Sequence, residues 1–97
     1  MLTIDEIKAA AERVAPIYDI SQIYLFGSYA RGDATEKSDV DFRIVGGKLP
    51  SLFDIGGLYY DFEETLGKKI DLVITKNMTP TFYDLIKDEE VLVYAKV

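Results

Sequence analysis

Apolar residues recur along this chain with two periods, and the switches between them mark out alternating helices and strands. Ile4, Ile7, Ala11 and Val14 fall at helical spacing, Thr3 and Glu6 form a capping-box pattern, and Pro16 closes the segment. A first helix is therefore expected over about Ile4 to Ala15. Gln22 to Phe26 is rich in strand formers and reads as a first strand. Gly27 and Ser28 end it, and Tyr29-Ala30-Arg31 has room for a short helical turn before Gly32 and a polar loop from Asp33 to Ser38.

Asp39 to Val45 alternates in character, so as a strand it places Asp39, Asp41 and Arg43 on one face and Val40, Phe42 and Ile44 on the other. One face is expected to be buried and the other to carry charge. Gly46-Gly47 and Pro50 punctuate the chain, and Ser51 is placed to cap a second long helix from Leu52 to Leu66, closed by Gly67. Its apolar stripe is Leu52, Ile55, Leu58, Tyr59, Phe62 and Leu66. Gly56 and Gly57 weigh against that helix, since an internal glycine costs about 1 kcal/mol relative to alanine. Lys69 to Thr75 predicts a third strand in which Asp71 is the lone acid. Thr79-Pro80 starts a short helix through Phe82, Leu85 and Ile86 to about Asp88, and Val91 to Tyr94 is a last strand. The expected architecture is α+β: a single small domain over residues 1–97, with a mixed sheet of about four strands and helices packed on it.

Composition narrows the function. A chain of 97 residues that is 48% hydrophobic suits one core. It holds no apolar run of the roughly 18 to 20 residues that cross a bilayer, and its start lacks the order of a signal peptide, so a soluble cytoplasmic protein with no membrane partner is expected. The chain contains no cysteine and no histidine, which excludes disulfides, thiolate metal sites, and the commonest general base and zinc ligand. A metal would be held by oxygen, favouring magnesium, manganese or calcium. The net charge of −6 disfavours nucleic acid as a partner and leaves room for a basic protein.

The chemistry concentrates between Gly27 and Phe42. Asp39 and Asp41, two apart on a strand, set their carboxylates roughly 6 to 7 Å apart on one face. Such a pair repels itself unless a divalent ion intervenes, and two ions held in this way stabilise the attacking and leaving oxygens of phosphoryl transfer. Asp71 adds a third carboxylate if the third strand lies beside the second. At the other end, Gly27 exposes backbone amides and Ser28 a hydroxyl at a strand-to-helix corner suited to phosphate oxygens, with Arg31 and Lys37 available to neutralise charge. Taken singly, a Gly-Ser turn, an Asp-x-Asp strand face or an isolated basic residue is ordinarily structural. Their order and spacing together describe a nucleoside triphosphate site.

Gly27-Ser28-x-Ala30-Arg31-Gly32, Ser38-Asp39-x-Asp41-Phe42 and Ile70-Asp71-Leu72-Val73 resemble the minimal nucleotidyltransferase branch of the DNA polymerase beta superfamily, across nearly the whole chain and with no departure at these positions. The resemblance implies that Asp39 and Asp41 bind magnesium, two ions with Asp71 as a further ligand, manganese being an alternative. It implies that Asp71 positions or deprotonates the acceptor hydroxyl and that Gly27 and Ser28, with Arg31 and Ser38, hold the triphosphate of ATP. It further implies a small helical HEPN-type toxin as partner, to which this class of antitoxin transfers AMP at a tyrosine hydroxyl. No segment is left over for an acceptor-binding domain, which fits an acceptor carried by another macromolecule. Two other readings stand beside this one. The protein could silence its partner by occlusion, a reading motivated by seven tyrosines in so small a domain as candidate exposed aromatics, although most of them taken singly are expected to be core or half-buried. It could also modify a small molecule such as an antibiotic.

Overall fold

The computed structural model describes all 97 residues, Met1–Val97. Helix α1 (Ile4–Val14) opens with the Thr3/Glu6 capping box, both reciprocal bonds being formed at 3.0 and 3.1 Å. It runs through a 3₁₀ turn (Ala15–Tyr18) into strand β1 (Ile20–Phe26). Helix α2 (Ser28–Arg31) is a single turn, and strand β2 (Val40–Gly46) follows the polar loop. Helix α3 (Leu52–Leu66), strand β3 (Ile70–Ile74), helix α4 (Pro80–Ile86) and strand β4 (Val91–Ala95) complete the chain, with a 3₁₀ turn over Thr75–Asn77. The strands form one mixed sheet in the order β3-β2-β1-β4, β1 antiparallel to both neighbours and β2 parallel to β3. The α+β class and the four strands match the sequence pattern. No helix is long and apolar enough to cross a membrane.

The two faces of the sheet are covered unequally. Ile7, Ala10, Ala11 and Val14 of α1 and Leu58, Phe62 and Leu66 of α3 pack on Ile23, Leu25, Val40, Phe42, Ile44 and Ile70 to make the main core. Phe42 and Phe62 stack at 4.6 Å in its middle. The opposite face is set by register: Tyr24 lies across from Arg43 and Phe26 from Asp41, and in the parallel pair Asp41 faces Asp71. Short α4 covers only part of this face, with Phe82 edge-on to Phe26 at 5.8 Å and Tyr83 over Arg43. The end bearing the aspartates is left open.

Several local expectations change. Helix α3 spans its full predicted length despite Gly56 and Gly57, capped by Ser51 and Asp54. Gly57 has a packing reason: a Cβ there would lie 2.8 Å from the Tyr18 hydroxyl, which donates to Asp61 at 2.6 Å. Leu52 does not join the buried stripe, being 85% exposed beside Phe53 at 92%. The tyrosines are mostly not exposed: Tyr29 is buried, Tyr18, Tyr24, Tyr59 and Tyr94 are half-buried, and only Tyr60 and Tyr83 stand out. Each of the half-buried rings is thereby removed from any broad aromatic docking face.

Candidate active site

Strand β1 ends at Phe26, and the chain turns through Gly27 with φ 76° and ψ −156°, a conformation that side chains with a Cβ resist. Space makes the same demand, because a Cβ on Gly27 would fall 2.2 Å from Asp41 Oδ2. Glycine here lets the backbone of the corner close directly onto the Asp41 carboxylate. Ser28 begins the single turn of α2, whose Tyr29 is anchored in the core while Arg31 points outward. The Ser28 carbonyl accepts from the Gly32 and Asp33 amides at 3.0 and 3.1 Å, so the turn closes on itself beside the carboxylates.

Asp39 precedes the first paired residue of β2, one position later than the expected strand start, and Asp41 sits within the strand, opposite both Phe26 and Asp71. Asp39 and Asp41 are half-buried and Asp71 is exposed. Burial is the largest influence on Asp41, followed by the negative charges of Asp71 and Asp39 and a hydrogen bond with Asp71; together they push its pKa up to about 6, against a weaker opposing pull from Arg31. The register brings Asp71 opposite Asp41, with Asp39 just before the start of β2, so the three acids lie at one end of the sheet. They do not converge as a ready three-ligand cation cage. Asp41 and Asp71 are instead paired, a mutual repulsion that a hard divalent cation would relieve, and an all-oxygen donor set of this kind fits magnesium.

Other predicted residues separate. Ser38 is turned into its own loop, its hydroxyl accepting from the Thr35 amide at 2.8 Å while its amide bonds the Thr35 carbonyl at 3.0 Å. Lys37 is exposed in that loop. The loop itself is pinned from the far side by Lys68 Nζ, which donates to the Glu36 carbonyl at 2.6 Å. Arg31 does reach the site's edge, held between Asp33 at 3.2 Å and Glu89 at 3.3 Å, and these acids raise its pKa further. A concavity of about 460 Å³ opens at the other end of the sheet, lined by Ile44, Gly46–Pro50, Ile74 and Lys76, where no acid projects. Chemistry and volume therefore point to different ends, and the carboxylates mark the candidate site.

Residues 6–97 match the family described as polymerase beta, nucleotidyltransferase. The chain belongs to that family. The protein adenylyltransferase MntA of Thermococcus cleftensis is 35% identical over 82 residues, spanning 80% of this chain and 83% of that protein. A solved structure of a candidate minimal nucleotidyltransferase superposes with a TM-score of 0.76 at 26% identity, covering 93% of this chain and 95% of that one. The fold is also shared, at a TM-score of 0.66 and 17% identity over 96% of this chain and 70% of the other, with a structure of a tri-AMPylated Shewanella oneidensis HEPN toxin in complex with its MNT antitoxin.

The candidate site has supporting residues to which the sequence pattern gave no role. Arg43 shares the aspartate face yet is only 7% exposed. It forms a two-pronged ion pair with Glu90 at 2.6 and 2.9 Å, donates to the Thr75 hydroxyl at 3.2 Å and lies against Tyr24 at 4.3 Å. That charged pair ties the turn before β4 to the middle of the sheet. Glu89, its neighbour, reaches the first corner of the motif, where its carboxylate accepts from the Gly27 amide. The acidic run Asp88-Glu89-Glu90 was the available signal, but as a sequence it reads as the solvated end of a helix.

Proposed function

We propose that this nucleotidyltransferase transfers AMP from ATP to a hydroxyl, that of a tyrosine of a partner HEPN toxin, and so acts as an antitoxin. The observation that carries the reading is the meeting of Asp41, Asp71 and Gly27 at the open end of one sheet face. The adenylyltransferase relative and the AMPylated toxin complex of the same fold support the choice of nucleotide and acceptor. In this reading the Gly27 and Ser28 corner and Arg31 hold the triphosphate, Asp39, Asp41 and Asp71 hold magnesium, and Asp71 takes the proton of the acceptor hydroxyl. The hydroxyl oxygen forms its bond to the α-phosphorus as the bond to the departing pyrophosphate breaks, and the proton passes to the carboxylate. Bound magnesium would supply charge neutralisation on the phosphates. Ser38 shapes the approach to Asp39 through its turn rather than through a contact of its own with the nucleotide.

Incubation with labelled ATP, magnesium and the protein encoded beside it should label that partner. Asp41→Asn should lower labelling by at least about 10²-fold, the usual cost of removing one charged group that stabilises the transition state. No transfer with any nucleotide or neighbour would overturn the proposal, and undiminished labelling by Asp41→Asn would overturn the role given to Asp41.

A further inference from the structure

Glu89 lies in the turn between α4 and β4, far along the chain from the motif, yet its carboxylate is docked on it. Oε2 accepts from the Gly27 amide at 2.5 Å and faces Arg31 Nη1 at 3.3 Å, with Oε1 at 3.4 Å from the same nitrogen. The placement is not that of a free side chain. Glu90, the next residue, is locked by the buried Arg43, so the backbone delivers Glu89 to one position, and its side chain is only 21% exposed. Gly27 and Arg31 are also the groups assigned above to the triphosphate. A carboxylate offers an amide and a guanidinium the same negative oxygens that a phosphate edge offers.

We infer that Glu89 is a built-in substitute for phosphate that takes the position assigned to the triphosphate and sets which ligands can enter it. The inference rests on the nucleotide-binding reading of the same site. A ligand gains the Gly27 amide and Arg31 Nη1 only by displacing Glu89, and it must then bring enough negative charge to satisfy both. The triphosphate chain does so; an uncharged nucleoside does not. Glu89 thus engages both the Gly27 amide, at the φ 76° corner, and one edge of the Arg31 guanidinium. Glu89 is a specificity-determining residue on this view, acting through the groups it occupies.

Titration calorimetry of the full chain with magnesium-ATP, tripolyphosphate and adenosine tests this, beside Glu89→Gln and Glu89→Ala. Both variants should bind magnesium-ATP and tripolyphosphate about tenfold more tightly, the yield of no longer breaking one charge-assisted contact, with no change for adenosine. Unchanged or weaker binding by the variants, with the wild type binding normally, would mean that Glu89 merely braces the corner and would overturn the inference alone. Failure of every form to bind any triphosphate would overturn the nucleotide-site reading and this inference together. The wild type supplies a second measurement that needs no variant to fold. On addition of tripolyphosphate, the Gly27 amide and Glu89 carboxylate resonances should move together; a Glu89 signal that stays fixed at saturation overturns the displacement.

Discussion

At the scale of single residues, Asp41 links the site to stability. Its folded pKa of about 6 lies above the ordinary 3.8 because burial and two neighbouring acids disfavour its charge. Between these values the folded state binds more protons than the unfolded state, so stability is greatest below pH 4 for this group and is lost as pH rises through 6. Allowing for solvent screening of a half-exposed carboxylate, the loss is about 1 to 2 kcal/mol. Thermal unfolding with a chelator present should therefore show Asp41→Asn gaining on the wild type by about 5 °C or more between pH 4 and pH 7. Parallel curves for the two proteins would show that Asp41 ionises without strain. The shared strand face of Asp39 and Asp41 was legible because side-chain alternation is local, whereas Asp71 was tied to them only on the condition that β3 lies beside β2, which the strand pairing meets. The shift in Asp41 was not legible, since it depends on register between strands. Arg43 with Glu90 and Gly27 with Glu89 are separated by 47 and 62 residues, and no local pattern records such pairings.

At the scale of elements, the exposed edge strand β3 carries Asp71 and needs support on its unpaired side. Tyr59 of α3 provides it: its hydroxyl accepts from the Leu72 amide at 3.1 Å and lies 3.5 Å from the Leu72 carbonyl, to which it donates. The edge is thereby satisfied by a side chain and closed to further strands. Tyr59→Phe should cost about 1 kcal/mol of stability and hasten hydrogen exchange at Leu72, with AMP transfer falling because Asp71 is adjacent. Exchange at Leu72 equal to the wild type would show the hydroxyl to be idle. The helices were legible from spacing and caps, even across Gly57, whose apparent cost is offset by the Tyr18 to Asp61 contact it admits. Strand ends were less so. Strand β1 starts at Ile20 rather than Gln22 because Ile20 reaches Gly46 past an irregularity in the β1-β2 register, and a bulge leaves no mark in alternation.

At the scale of the whole molecule, the proposed antitoxin role can be exerted by chemistry or by cover. The tyrosines that would have favoured cover are largely folded inward, while Leu52 and Phe53 at the start of α3 are both highly exposed. They follow the Gly46–Pro50 concavity, which lies at the end of β2 away from Asp39 and Asp41. This apolar surface and the aspartates thus lie at different ends of β2. Asp39→Asn combined with Asp41→Asn keeps side-chain volume and removes two charges from a self-repelling cluster, so the fold and any partner contact should survive. If neutralisation depends on AMP transfer, cells expressing the toxin with this double variant should lose protection although the two proteins still co-purify. Protection that persists in the absence of partner labelling would establish occlusion as the mechanism and leave the aspartates a role in nucleotide sensing alone.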